Sequence, residues 1–428
     1  MFPLDSSARI GSTVHVAQLD ARCSDEASGK ADRPFCSIGA AALKVTPGQT
    51  VLVAAGDYRE RVIIHRSGTR RAPIAFVALP GANVSLSEGK NGFYLSDASW
   101  VSISGFTITG TTSYGISVFN ASHITLFGNR VSRAGKQSPT ASAAGIYLKG
   151  IRDSLVWRNV SFGNSYSGIL LTYGATRNVV KDNVTYDNIS GYVRKAPGIR
   201  LYASPDNTVT GNVSYGNEDS GIEMYAGSEG ALVSNNVSYS NGDHGIDVFG
   251  SPGARVVGNT VHRNTASGIN VEGGSSRSVI ENNIAVDNGI DSPRSKGNIR
   301  VDLSSVDGTR MNFDLVYLTS PGQIANPTYL VVWGATSATS LLDLTSATGQ
   351  ETRGIQADPA WAHAASGDYR LSSRSPAIDS ADSSAPGQPL RDSKGHKRVD
   401  VPRTPNTGAG RYAYVDRGAF EFSPRIVG

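Results

Sequence analysis

Cysteine is scarce: Cys23 and Cys36 are the only two in 428 residues, and both lie in one N-terminal segment. Paired, they close a short loop and leave no thiol over, which marks an oxidising, secreted setting. Unpaired, they are two free thiols. No metal-ligand spacing surrounds them. Long apolar runs are missing too. None reaches the ~18 residues of a membrane-spanning helix, so no membrane partner is expected. The start, Met1-Phe2-Pro3-Leu4-Asp5, lacks the basic region and apolar core of a signal peptide. A secreted protein is therefore expected only with its leader already removed. Charge of one sign is absent: 40 basic side chains face 36 acidic ones, a net of +4. That balance leaves no electrostatic footprint for nucleic acid. Amphipathic helical stripes are hard to find.

Glycine, by contrast, is abundant at 48, and Asn and Ser crowd between short apolar runs. The pattern Gly-Ile-x-aliphatic-x recurs at Gly145, Gly168, Gly198, Gly221, Gly245 and Gly268, with a looser copy at Gly115. The steps from Gly115 onward are 30, 23, 30, 23, 24 and 23 residues. A second marker keeps the same beat: Asn129, Asn159, Asn183, Asn212, Asn236, Asn259 and Asn283. A third is an Asn five residues on, from Asn164 to Asn288. Each unit holds three short β-prone runs, and none is helical. A period this short, without a leucine framework, predicts an all-β right-handed parallel β-helix. The recurring Asn residues read as ladders inside the turns. That accounts for the Asn-x-Ser/Thr matches at Asn159, Asn183, Asn212 and Asn236 better than glycosylation does.

Along the chain, residues 1–47 read as an N-terminal cap with one helix over 37–44. Strands are expected at 50–54, 61–65, 74–78 and 84–86. The helix array occupies 48–318. Residues 319–428 lose the period and read as outer coils and a C-terminal cap, with a last strand over 416–422. Covered ends are compatible with a monomer.

Stacked repeats turn sequence into columns. After each glycine the Ile and the aliphatic two residues on face inward, and the residues between face out. The first outward column reads Tyr147, Leu170, Arg200, Glu223, Asp247, Asn270 and then Arg300. The second reads Lys149, Thr172, Tyr202, Tyr225, Phe249 and Glu272. Asp219, Asp243 and His244 sit just before the glycines. Like charges one rung apart are unfavourable. A surface selected for solubility alone would avoid placing Glu223 under Asp247. The long steps place three insertions, 133–143, 189–197 and 289–296, at one corner beside these columns. They carry Arg133, Lys136, Arg194, Lys195, Arg294 and Lys296. A groove with basic walls and aromatic neighbours suits an extended acidic polysaccharide. Lys149, Arg194, Tyr202, Tyr225, Phe249, Asn270 and Glu272 are its expected binding residues.

The repeat over 50–318 resembles the pectate-lyase-like β-helix superfamily. Glu218-Asp219-Ser220-Gly221-Ile222-Glu223 and Asp243-His244-Gly245-Ile246-Asp247 resemble the acidic turn of family-9 polysaccharide lyases. The resemblance implies Ca²⁺ held by Asp219, Glu223, Asp243 and Asp247, and a base that abstracts the proton beside a uronate carboxylate. Two residues depart from the pattern. His244 replaces an acid, and Asn270 stands where a Lys is expected. The base then falls to Lys195, Arg200, His244 or Arg300. In this reading the chain cleaves a uronate-containing polysaccharide by β-elimination. A retaining glycoside hydrolase using Glu223 and Asp247 is the alternative. A uronan C5-epimerase and a non-catalytic glycan-binding solenoid are the others.

Overall fold

The computed structural model describes residues 12–80, 84–87, 90–138, 143–290, 292–320, 322–323 and 326–423. Residues 139–142 of the first insertion and 291 of the third lie outside them. The chain divides into two compact units. One holds residues 1–184 and 188–192, the other 185–187 and 193–428.

The first unit is built of coils that each give one strand to each of three parallel sheets. One sheet runs through Thr13–Val16, Thr50–Val53, Ile74–Ala78, Val101–Ser104, Thr125–Phe127 and Leu155–Trp157. A second runs from Val62–Ile64 through Phe93–Ser96, Ile116–Phe119 and Ile146–Lys149 to Ile169–Thr172. A third runs from Gly56–Tyr58 to Val160–Phe162. The N-terminal segment does more than cap this stack. Thr13–Val16 already pairs in parallel with Thr50–Val53, and Cys23 and Cys36 form a disulfide. The expected helix forms as Ile38–Lys44, with the Ser37 hydroxyl accepting from the Ala40 amide.

The second unit repeats the plan. Its first sheet runs through Ile199–Tyr202, Ile222–Tyr225, Ile246–Phe249, Ile269–Glu272, Ile299–Val301 and Val331–Trp333. Parallel coils thus continue past residue 318. A helix missing from the sequence reading, Leu341–Thr348, follows.

The alternation holds on the inward side. Ile222, Met224, Ile246, Val248, Ile269 and Val271 are fully buried. The glycine marker has a steric cause: a Cβ on Gly245 would sit 2.6 Å from the Gly268 carbonyl and 2.7 Å from Asn264 Nδ2. The asparagines form the expected ladders. Asn212 Nδ2 donates to Asn236 Oδ1, Asn236 to Asn259, Asn259 to Asn283, and Asn283 to Asp314, each at 2.9–3.0 Å. A parallel ladder runs from Asn217 through Asn241, Asn264 and Asn288 to Asn298. Buried amides paired this way lock one coil's turn to the next.

Residues 416–422 do not form the expected strand. Their backbone donors go elsewhere. Phe422 donates to Asp416 Oδ2, Glu421 to Asp392 Oδ2, Ala419 to Thr260 Oγ1 and Gly418 to the Asn282 carbonyl. Side-chain acceptors replace a ladder, so the alternating letters carried no strand signal.

Candidate active site

The outward columns form as expected in the second unit. Arg200 is in register with Glu223, Glu223 with Asp247, Asp247 with Asn270, and Asn270 with Arg300. Each strand is fixed by its inward Ile and aliphatic residue, so these five side chains leave one rigid sheet face. The outward letters are not simply solvent-facing: Glu223 is 4 % exposed, Asp247 7 % and Asn270 0 %.

What surrounds them is mostly one another. Arg200 donates to Glu223 through Nε and reaches Asp219 Oδ2 at 3.3 Å through Nη2. Asn270 Nδ2 donates to Asp247 Oδ1 at 2.8 Å. Arg300 Nη1 donates to Asn270 Oδ1 and to Glu272 Oε2 at 2.8 and 2.7 Å. Two of the insertions do converge. Arg194 and Arg294 approach the same carboxylate, Asp243, at 3.5 and 2.7 Å. Arg294 was legible only as a loop cation; that it would spend its charge on Asp243 was not. Lys195 lies in the same loop, half-buried.

Burial sets the protonation of the cluster. It pushes the Asp219 carboxyl up to about 7, helped by Glu223 and opposed by Arg200. It pushes Asp247 well above the usual carboxylate range, helped by the charges of Glu223 and Glu272 and opposed by the Asn270 amide. It lowers His244, against the pull of Asp243 and Glu272. The His244 Nδ1–H faces the Ser267 carbonyl at 3.3 Å, so the neutral ring presents a bare Nε2. The site therefore combines a carboxyl acid, ion-paired carboxylates and a neutral imidazole.

The second column also stacks. Tyr225 and Phe249 lie 4.9 Å apart at 14°, and Tyr202 tilts against Tyr225 at 5.6 Å. Face-to-face rings cover each other, so they offer edges rather than an open sugar platform. The Arg200 guanidinium sits 5.5 Å from the Tyr225 ring centre. Lys149 belongs to the first unit, where its ammonium lies over Tyr173.

The donor set implied for Ca²⁺ does not suit it. Ca²⁺ takes six to eight oxygens. Of the four carboxyls, Asp219 and Glu223 already share Arg200, and Asp243 is held by Arg194 and Arg294. Guanidinium groups thus already hold three of the four carboxyls. A different group stands out among the described residues. One ligand atom each from His244, Asp247 and Glu272 lie within 4.8 Å of one another. Glu272 was expected only as a substrate contact.

Residues 91–251 and 193–306 match the model of the right-handed β-helix region, together spanning half the chain. A mannuronan C5-epimerase of Pseudomonas putida is 29% identical over 152 residues, 35% of this chain and 27% of that protein. The match thus spans only about a quarter of that relative's length. Among solved structures, pectate lyase Pel9A is 18% identical with a TM-score of 0.56, covering 96% of this chain and 98% of its own. XylC in complex with xylose is 13% identical with a TM-score of 0.59, over the same shares. At these identities the likeness is one of fold. The chain belongs to the right-handed β-helix family.

Proposed function

We propose that the chain is a carbohydrate-active enzyme that cleaves a polysaccharide on the Arg200–Arg300 face, and that it does so by retaining hydrolysis. One observation carries this reading: Glu223 and Asp247 are in register on adjacent strands, in different electrostatic states. Strand spacing sets their backbones about 4.8 Å apart. Retaining glycosidases hold their two carboxyls about 5–5.5 Å apart. Burial raises the Asp247 pKa, which favours the protonated form that a general acid needs. Arg200 bonds Glu223 as a carboxylate, which suits a nucleophile. Asp247 delivers its proton to the glycosidic oxygen, Glu223 attacks the anomeric carbon, and water then releases the sugar with Asp247 acting as base.

The β-elimination favoured by the sequence loses support at three points. Asn270 stands in the place of the base, arginines hold three of the four implied calcium ligands, and the wall cations Arg194 and Arg294 are spent on Asp243. It survives as a second reading because His244 is neutral with a bare Nε2 and because one relative is named for acting on mannuronan. A panel of neutral glycans and polyuronates decides between them. Hydrolysis gives new reducing ends without ultraviolet-absorbing unsaturated product, and a 2-fluoro glycoside labels Glu223. Unsaturated product from a uronate, or a label elsewhere, overturns the hydrolytic reading.

A further inference from the structure

We infer that His244, Asp247 and Glu272 form a binding site for a divalent transition-metal ion of the zinc type. Their ligand atoms already lie within 4.8 Å of one another. They come from two adjacent strands. His244 stands two residues before Ile246–Phe249, Asp247 is on that strand, and Glu272 ends the next, paired with Phe249.

The second observation is how each side chain is held. His244 Nδ1 faces the Ser267 carbonyl, Asp247 Oδ1 accepts from Asn270, and Glu272 Oε2 accepts from Arg300. One atom of every ligand is thus anchored by a neighbour, and the second polar atom of each is the one offered to an ion, with His244 Nε2 turned toward Asp243 Oδ1 at 3.8 Å. Metal-ligating histidines and carboxylates are oriented in just this manner, each through its second polar atom. Ligands of a tetrahedral ion at about 2.1 Å lie roughly 3.4 Å apart, so closing the site takes side-chain shifts of about an ångström.

The donor chemistry selects the ion. One imidazole and two carboxylates leave a tetrahedral position open, as at zinc sites with three protein ligands. Imidazole suits zinc, cobalt, nickel and iron, whereas calcium wants an all-oxygen cage. Binding rests on this geometry alone. Its effect on turnover rests on the proposed acid role of Asp247. An ion on Oδ2 occupies the atom that delivers the proton, so the ion inhibits.

Co²⁺ titration of the purified chain tests the site through its visible d–d absorption, with Zn²⁺ calorimetry alongside. The expected result is one equivalent bound, an affinity lower by about tenfold or more in His244→Ala and in Glu272→Gln, and no displacement by excess Ca²⁺. Glu272→Gln keeps an acceptor for Arg300, and circular dichroism confirms that each variant is folded. Absence of the Co²⁺ band, an unchanged band in both variants, or tighter binding of Ca²⁺ overturns the inference. Hydrolysis is assayed separately on metal-free protein. Failure to find a glycan substrate leaves the binding result standing, and failure of Co²⁺ to bind leaves hydrolysis untouched.

Discussion

Asp247 stands in register with Glu223 on one side and Asn270 on the other, and Asn270 donates to its Oδ1. This sandwich gives the proposed acid and nucleophile different fates on substitution. Asp247→Asn should lower turnover about 10²–10⁴-fold on polysaccharide, the range for a positioned acid. It should cost much less on aryl glycosides, whose leaving groups need no proton. Glu223→Gln should abolish turnover on both. Steady-state kinetics on the two substrate types measure the contrast; equal losses would remove the role assignment.

The pH profile follows from the same pair. The folded-state pKa of Asp247 is raised, so its proton is held to higher pH than an ordinary aspartic acid holds one. Turnover should fall as pH rises through that value. In Asp247→Asn this alkaline limb should vanish from the kcat/KM profile.

Arg200 holds Asp219 and Glu223 together while nearly buried itself. Removing one partner of a buried ion pair costs about 3–5 kcal/mol, because the other charge is left unmatched. Arg200→Ala should therefore lower the unfolding free energy by that order in urea titrations. Arg200→Lys should recover only part of it, since a lysine cannot fork to two carboxylates.

Asp314 and Glu351 form a second acidic pair, fully enclosed, with Arg417 donating to the Asp314 carbonyl. Burial pushes Asp314 up to about 6 and Glu351 well above its usual range. A raised acid pKa means the folded state holds the proton more tightly. Its stabilisation is complete below 3.8 and is lost as pH rises to about 6. Asp314→Asn should flatten the pH dependence of unfolding across that window. A dependence identical to the parent's would show that the pair does not titrate there.

Asn236 links three coils: Asn212 donates to its Oδ1, and its own Nδ2 donates to Val209 and Asn259. Asn236→Ala strands several buried groups at about 1–3 kcal/mol each. A loss of stability at or above the upper end of that range, read from chemical denaturation, is the expected outcome. Asn159→Ala should behave alike, because Asn159 occupies the corresponding place beneath Asn183.

The sequence discloses the fold because each coil must solve the same packing problem. Gly245, Ile246 and Asn236 recur for steric and hydrogen-bonding reasons that do not vary along the stack. The register of the site is legible for the same reason: a fixed step puts Glu223 beside Asp247. The charge pairing is not. Arginine side chains are long enough to choose among several carboxylates, and only the folded loops show Arg194 and Arg294 meeting at Asp243. Nor does alternation report burial on the outer face. It names the side of the sheet, not whether arginine arms and their carboxylates shut out water there. At residues 416–422 most partners, such as Thr260, Asn282 and Asp392, lie far away in sequence, so no alternating pattern announces them.

The C-terminal stretch returns to coils made much earlier. Asn235 donates to the Arg391 carbonyl 156 residues on, and Ala419 donates to Thr260 across 159. At synthesis rates of about 5–20 residues per second, such coils wait roughly 8–30 s for their buckle. Nascent coils therefore spend that interval with an outer face bare. Chaperone demand during translation, rather than the equilibrium strength of the finished solenoid, is where mutations in this closing strap should first be felt.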